Sequence, residues 1–238
     1  MSSELPAGPI VMRQRWESLL FMHWRYSIEA IQATLPPSLR VDTFEGEGYV
    51  GIVPFLMRKV RPRFLFCISG LSDFLELNLR TYVVDAQGRK GVWFYSLDAN
   101  QSLAVWIAQK LFSLPYRNAK MRYALDEDGW ESFQSQRPSA ELQRFLYCGS
   151  STPKPAVVDS LEAFLVERYR LFSYNESRHS LHVGQIHHEP YRISEVEVRD
   201  YSKELFALNG LKAPQGPPDH QVLAQPVDVN IYPLRRAH

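Results

Sequence analysis

The sequence predicts an α+β protein built on a largely antiparallel sheet with a few helices. Two observations favour this class: short runs with strand-like alternation follow one another between Gly- and Pro-rich turns, and only a few segments carry apolar residues at helical spacing. No repeat, low-complexity segment or linker divides the 238 residues, and 45% of them are hydrophobic. We therefore expect one domain over residues 1–238, with residues 1–10 as a flexible tail.

The composition argues against several classes of partner. Lys and Arg total 27 against 26 for Asp and Glu, so no excess charge favours nucleic acid. The chain shows neither a signal peptide nor an apolar run long enough for a transmembrane helix. The two cysteines, Cys67 and Cys148, are typical of reduced intracellular thiols. We expect a cytoplasmic protein without a membrane or nucleic-acid partner, and a homo-oligomer is compatible with the sequence.

The predicted strands are short and mostly paired through turns. The turn at residues 45–48 joins two strands into one hairpin, and Asp85-Ala86-Gln87-Gly88 joins two others, because Gly readily supplies the backbone angles of tight connections. Three later runs read as an antiparallel meander. In chain order the predicted extended segments are 12–22, 39–44, 48–57, 76–84, 91–97, 121–125, 130–136, 141–148, 180–187, 191–199 and 227–232.

Four helices are predicted, each from a capping residue and helical apolar spacing. Ser27 caps residues 28–35, which Pro36 and Pro37 end. Asp98, with Gln101 three residues later, has the spacing of a capping box and begins a helix that stops before Pro115. The other two helices are predicted from Asp159 or Ser160 through Phe172, and near residues 202–209. A Pro-rich bend is predicted between the last helix and residue 227.

The strand at residues 76–84 carries polar groups on one side. Glu76, Asn78, Arg80 and Tyr82 share one face because side chains alternate across a strand, and the other face is apolar. Two interpretations stay open on periodicity alone. The polar face belongs to a surface strand of a one-sided antiparallel sheet, or it lines a polar cavity.

Other familiar site patterns are missing from the sequence. His179, His182, His187 and His188 lie close together, but no pair has the two-residue spacing that places ligands on one face of a strand, so no metal site is expected. No glycine-rich phosphate loop and no GxSxG elbow occur, and neither cysteine has a histidine nearby. No cofactor is expected.

The order of several motifs resembles a known family. The chain is similar to the YqjF-like bacterial proteins of uncharacterised function, which resemble the acetoacetate decarboxylase-like superfamily, and the similarity covers nearly the whole chain. The motifs that carry it are Leu20-Phe21-Met22-His23-Trp24, Leu35-Pro36-Pro37, Val41-Asp42-Thr43-Phe44-Glu45-Gly46, Glu76 through Val83, Leu114-Pro115-Tyr116-Arg117-Asn118-Ala119-Lys120-Met121, and Glu167-Arg168-Tyr169.

The resemblance implies a curved antiparallel sheet closed into a barrel or cone around a central pocket, with a few peripheral helices. In acetoacetate decarboxylases the motif after the proline reads Lys-Lys, and the first lysine forms a Schiff base with a β-keto acid. Here Tyr116 and Arg117 occupy those positions, and tyrosine cannot form an imine. An amine from Lys120 would have to reach the pocket to replace the missing lysine.

The resemblance also implies that the polar residues of this strand, together with residues of the other motifs, form a site. Glu76, Tyr116 and Arg117 are candidate catalytic residues, with Glu76 or a tyrosine transferring a proton and Arg117 stabilising negative charge. Candidate ligand-binding residues are His23, Asn78, Arg80 and Tyr82, with walls expected from Trp16, Trp24 and Trp93. Because Arg80 and Arg117 would grip a carboxylate or phosphate, the expected partner is a small anionic organic molecule. The alternatives are a lyase or hydrolase acting on a keto acid, and a non-catalytic scaffold with a filled barrel.

Overall fold

The computed structural model describes residues 6, 8–64, 66–67, 72–101 and 114–237, and sheet dominates it. The strands are β1 (Met12–Glu17), β2 (Leu19–Tyr26), β3 (Leu39–Val41), β4 (Gly48–Pro62), β5 (Phe74–Asp85), β6 (Lys90–Ala99), β7 (Tyr116–Asn118), β8 (Lys120–Leu125), β9 (Glu131–Gln136), β10 (Gln143–Gly149), β11 (Lys154–Pro155), β12 (Arg170–Asn175), β13 (Ser180–His187), β14 (Arg192–Ser194), β15 (Val196–Tyr201), β16 (His220–Ala224), β17 (Val227–Ile231) and β18 (Arg235–Arg236). The described helices are α1 (Ile28–Gln32), α2 (Leu161–Val166) and α3 (Glu204–Ala207), with a 3-10 turn at Glu176–Arg178. None of these helices is long and apolar enough to cross a membrane.

The main sheet closes on itself as a barrel. Its ring runs β4, β1, β17, β13, β12, β6 and β5, and β5 pairs again with β4. Every pairing in this ring is antiparallel except the parallel contact between β12 and β6. The expected antiparallel barrel is therefore confirmed, with seven strands in the closed ring.

A branch of the sheet extends beyond the ring because β4 is long. Its second half pairs with β1 and its first half with β2, and the left-handed backbone of Ser18 (φ 53°) separates these two partners. The outer edge of β2 then carries β16, β14 and β11 in that order. The branch thereby adds inward-facing residues of β2 and β16 to one side of the barrel wall.

A second sheet, in the order β15, β10, β9 and β8, covers the outside of the barrel. Leu77 and Leu79 of β5 pack with Phe133 and Phe145 of this sheet in one fully buried cluster. Phe74, from the alternate set of β5 residues, belongs instead to the cluster inside the barrel. Alternation along β5 therefore turns its even-numbered residues toward the barrel interior.

Several local predictions are confirmed. The Ser27 hydroxyl caps α1 by accepting the Ala30 N–H at 3.2 Å, and Ser160 caps α2 in the same way through Ala163. The hairpin of β5 and β6 forms around the predicted turn, where Gly88 has a φ of 75°. The meander of β8, β9 and β10 is also present, and it forms the second sheet together with β15.

Other predictions were wrong, and tertiary pairing explains each correction. The strand at 39–44 shortens to β3 and pairs with β5, so it does not form a ladder with β4. Asp98 begins no helix: it lies inside β6, fully buried, where its carboxylate binds the Arg137 guanidinium at 2.8 Å. The rest of that predicted helix, from residue 102, lies outside the described residues, as does most of the predicted tail.

The third predicted helix is also shorter than expected. It ends at Val166, where the Glu167 carboxylate accepts the Tyr191 N–H at 2.7 Å, and the chain continues as strand β12. The predicted strand at 191–199 divides into β14 and β15, which belong to different sheets. Strand β16 lies in the stretch predicted as a Pro-rich bend, and it pairs with β2.

Candidate functional site

The strand register aligns four residues in one row across the inner side of the wall. Arg80 of β5 lies opposite Gly51 of β4, Gly51 lies opposite His23 of β2, and His23 lies opposite His220 of β16. We call these four residues the polar row. Arg80, His23 and His220 are all buried, with 9%, 0% and 8% of their surfaces exposed.

Gly51 allows the histidine ring to cross β4. A Cβ atom at this position would lie 2.5 Å from Cδ2 of His23 and 2.9 Å from Nε2, closer than side-chain atoms can approach. Without that atom the ring reaches Tyr82, and His23 Nε2 lies 2.7 Å from the Tyr82 hydroxyl. On its other side, His23 Nδ1 lies 3.0 Å from Nδ1 of His220.

Arg80 anchors the other end of the polar row. Its Nη2 donates to the Leu165 carbonyl at 3.0 Å and to the Tyr82 hydroxyl at 3.2 Å, and its guanidinium lies 5.0 Å from the centre of the Phe21 ring. Its buried Nε has no hydrogen-bond partner among the described residues. Nor does any carboxylate of the described chain come within ion-pair distance of this guanidinium.

A second buried arginine nearby has a carboxylate partner, although its Nη2 has no hydrogen-bond partner among the described residues. Arg168 follows α2 and donates to the Asp42 carboxylate and to the Phe164 carbonyl, each at 2.7 Å. Asp42 in turn accepts Lys90 at 3.0 Å. Arg168 therefore has a charge partner, whereas Arg80 has none among the residues that the structure describes.

Glu76 forms a separate polar pair inside the barrel. Its carboxylate is 2% exposed and accepts the Tyr116 hydroxyl at 2.8 Å. Burial raises the pKa of Glu76 to about 7, although Tyr116 and the neighbouring Asn78 favour the ionised form. Burial also raises the pKa of Tyr116 well above its ordinary value. Glu76 can thus hold or release a proton near neutral pH while Tyr116 keeps its own.

Six of the seven predicted site residues are buried in these two groups. Their members are His23, Arg80 and Tyr82 in one group and Glu76, Asn78 and Tyr116 in the other. Arg117 differs from the expectation because it is exposed on the opposite face of β7 from Tyr116, next to Asp98 of β6. The expected pair of Arg80 and Arg117 is therefore not formed.

The structure also answers the open question about Lys120 and corrects the expected positions of two tryptophans. Lys120 is exposed and lines a separate cavity of about 670 Å³ beside Asn118 and Arg137. Trp24 packs between the barrel and the second sheet, and Trp93 packs in another cluster with Leu39 and Phe172. Both tryptophans lie on the faces of their strands that point away from the barrel interior.

Trp16 contacts the cluster inside the barrel, where its ring packs against Phe55 at 5.6 Å. It is the tryptophan of the expected three that packs against the barrel interior.

The sequence interpretation did not identify His220, Asp42 or Arg168 as site residues. His220 was not identified because the stretch that contains its strand is rich in proline and was predicted to be a bend. Asp42 and Arg168 lie inside motifs that carry the family resemblance, but the salt bridge joins residues 126 positions apart. The presence of both residues in these motifs was the one signal in the sequence that could have suggested their pairing.

The histidines near residue 180 do not assemble a metal site. Within the described part of the chain, no group of three or more His, Cys, Asp or Glu residues could hold a metal ion. Burial lowers the pKa of His23 well below its ordinary value and that of His220 to about 4. Both imidazoles of the polar row are therefore neutral near pH 7.

Comparison with known proteins agrees with the motif resemblance. The chain is 36% identical over 234 residues to the uncharacterized protein YqjF of Bacillus subtilis (strain 168), which spans 98% of this chain and 95% of that protein. The family of uncharacterized conserved proteins called DUF2071 matches residues 13–228.

Solved structures with a similar fold are more distant in sequence. Acetoacetate decarboxylase from Legionella pneumophila subsp. pneumophila str. Philadelphia 1 has a TM-score of 0.66 at 15% identity, over 98% of this chain and 88% of that chain. The enduracididine biosynthesis enzyme MppR complexed with pyruvate has a TM-score of 0.65 at 11% identity, over 98% of this chain and 92% of that chain. These likenesses confirm the acetoacetate decarboxylase-like fold. The chain belongs to the DUF2071 family, as its match over residues 13–228 and its identity to YqjF show.

Proposed function

We propose that the barrel interior binds a small organic anion whose acidic group contacts Arg80. The observation that carries the proposal is a buried guanidinium with an unpartnered Nε and no carboxylate within ion-pair distance in the described chain. Burying an unpaired charge costs several kcal/mol. A bound carboxylate would offset that cost and would accept the free N–H in a charge-assisted hydrogen bond.

Two other arginines, one buried and one half-buried, support this interpretation by contrast. Arg168 is paired with Asp42, and Arg137 binds both carboxylate oxygens of Asp98. Each of these two arginines therefore has a carboxylate partner supplied by the fold. Arg80 instead has a carbonyl and a hydroxyl as neighbours, which leaves its charge available to a ligand.

The class of ligand is suggested by fold neighbours and by the side chains around Arg80. MppR has been solved with pyruvate, a small keto acid, and other neighbours are acetoacetate decarboxylases. Phe21 beside Arg80 offers an apolar contact of the kind that small-molecule sites combine with a few polar groups. On these grounds we propose that the ligand of this chain is a small carboxylic acid.

Proton transfer by Glu76 is a second candidate function. It is favoured by a carboxyl whose pKa lies at about 7 and whose oxygen accepts the Tyr116 hydroxyl at 2.8 Å. Because tyrosine replaces the Schiff-base lysine, the reaction would be a lyase or hydrolase step on a keto acid without an imine. The third possibility, a filled barrel without a ligand, is an outcome of the binding test below.

The proposal includes a cytoplasmic setting without a cofactor and without nucleic-acid or membrane partners. The near-equal totals of basic and acidic residues, 27 and 26, support this part. A homo-oligomer is compatible with it, and sedimentation of the purified chain would determine the assembly state.

Binding is tested by calorimetry with pyruvate, acetoacetate and lactate on the wild type and on Arg80→Met. We expect the variant to lose about tenfold or more in affinity, since a hydrogen bond to a charged group contributes about 1.5–3 kcal/mol. Arg122→Met is the matched control, because Arg122 is exposed on β8 of the other sheet. Equal affinity in Arg80→Met, or no binding of any acid to the wild type, would contradict the proposal.

The proton-transfer candidate needs a chemical assay. In D₂O, proton NMR follows deuterium uptake at the methyl group of pyruvate, and we expect uptake with the wild type but not with Glu76→Gln. Borohydride with pyruvate should leave no adduct on the protein. A trapped adduct would show that a lysine acts, and equal uptake in both proteins would remove Glu76 from the reaction.

A further inference from the structure

A series of hydrogen bonds runs from the Leu165 carbonyl through Tyr82 and His23 to His220, and each bond in it has one possible donor. We call this assignment of donors the proton order, and it leaves a buried nitrogen lone pair on His220. We infer that the ligand of Arg80 is a hydroxy acid whose hydroxyl donates to Nε2 of His220. This inference rests on the proposed function, because it needs an anion on Arg80, and it adds the identity of the second polar group of the ligand.

The order starts at the Leu165 carbonyl, which can only accept. The Tyr82 hydroxyl lies 2.7 Å from this oxygen, so its single proton lies in that contact. The same hydroxyl oxygen lies 2.7 Å from His23 Nε2 and can only accept there. His23 therefore carries its proton on Nε2.

The histidine pair continues the order. A neutral imidazole carries one proton, so Nδ1 of His23 has a lone pair. Nδ1 of His220 lies 3.0 Å away and must donate to it. The proton of His220 is then on Nδ1, and its Nε2 is an acceptor. Burial keeps both rings neutral and outweighs the nearby Glu162 carboxylate at His220.

The acceptor at the end of this order is buried and unused. Nε2 of His220 has no hydrogen-bond partner among the described residues, and 92% of the residue is removed from solvent, since 8% is exposed. His220 lies on the same side of β16 as Val222 and Ala224, which belong to the cluster inside the barrel. A buried acceptor without a donor costs about 1–3 kcal/mol, so a ligand donor would be stabilised here.

The two ends of the polar row thus have opposite requirements. Among the described residues, the Arg80 Nε–H has no acceptor and the His220 Nε2 lone pair has no donor. A carboxylate with a separate hydroxyl would offer a partner to each of these atoms. A keto acid would place its carbonyl oxygen, which has no proton, against the lone pair of His220 and leave it unsatisfied.

The test compares matched acids on the wild type by calorimetry. The pairs are lactate with pyruvate and 3-hydroxybutyrate with acetoacetate. In each pair the first acid has a hydroxyl group where the second has a carbonyl group. We expect the hydroxy acid to bind about tenfold more tightly in at least one pair, as one satisfied hydrogen bond predicts. Equal affinity, or a preference for the keto acid, in both pairs would overturn the inference.

Two variants separate the acceptor from general packing. His220→Asn keeps a donor near the position of Nδ1 but lacks Nε2, so we expect it to bind both acids of a pair equally. His220→Gln is the matched control because its amide reaches the position of Nε2, and we expect it to keep part of the preference. If His220→Asn keeps the full preference, His220 does not select the hydroxyl.

A direct measurement checks the proton order itself. Nitrogen-15 NMR of labelled histidines should show the Nε2–H tautomer for His23 and the Nδ1–H tautomer for His220. An Nε2–H tautomer at His220 would overturn the inference even if acids bind. Arg80-dependent binding without a hydroxyl preference would refute this inference alone, and no binding of any acid would refute the proposed function with it.

Discussion

Glu76 makes the stability of this protein depend on pH in an unusual direction. Burial raises the pKa of this carboxyl from 4.5 to about 7 in the folded state. The folded protein therefore holds the proton more strongly than the unfolded chain does. Stability from this group is fully present below pH 4.5 and is lost as the pH rises through 7.

The size of this loss follows from the shift. Each pKa unit corresponds to 1.36 kcal/mol, so a shift from 4.5 to about 7 amounts to about 3 kcal/mol of unfolding free energy. Glu76→Gln places an uncharged side chain of the same shape beside Tyr116 and removes the titration. We expect the variant to gain about 3 kcal/mol relative to the wild type between pH 4.5 and pH 8.

Urea denaturation of both proteins at half-unit pH steps measures this difference. Comparing the two proteins at each pH cancels the titration of all other groups. Glu141→Gln, an exposed position, is the control and should follow the wild type at every pH. A constant difference between Glu76→Gln and the wild type across the range would refute a raised pKa for Glu76.

Three further predictions concern positions around the site. Gly51→Ala should destabilise the fold by about 1–3 kcal/mol in urea denaturation, because its Cβ would lie 2.5 Å from Cδ2 of His23; an unchanged midpoint would contradict that contact. Asp42→Asn should lower the free energy of unfolding by about 3–5 kcal/mol in the same assay, because it leaves the buried Arg168 without its carboxylate. A decrease of less than about 1 kcal/mol would show that Arg168 needs no charged partner. Arg117→Ala should change stability by less than about 0.5 kcal/mol and leave acid affinity unchanged in calorimetry, since Arg117 is exposed; a tenfold loss of affinity would place it in the site.

Part of the site could be predicted from local patterns. Alternation along residues 76–84 correctly grouped Glu76, Asn78, Arg80 and Tyr82 on one face, and all four are buried. The same rule would have separated Tyr116 from Arg117 if the stretch had been recognised as a strand. Residues 116–120 lie between the helix predicted to stop before Pro115 and the strand predicted at 121–125, so no strand period assigned their faces.

The polar row was beyond local patterns because its members come from four strands. Residues 23, 51, 80 and 220 meet only through the register of β5, β4, β2 and β16. The short β16, after a Pro-rich stretch, carried too little periodic signal to be predicted. His220 was therefore missed together with its strand.

The sequence by itself determined the sheet-rich class, the hairpin turns, the helix caps and the polar face of β5. These depend on backbone geometry and on neighbours a few residues away. Only the tertiary structure decided that Arg168 has a carboxylate partner while Arg80 has none in the described part of the chain, and that Glu76 is dehydrated beside Tyr116. Those properties depend on which distant strands become neighbours and on how much water they exclude, and both are set by closure of the barrel.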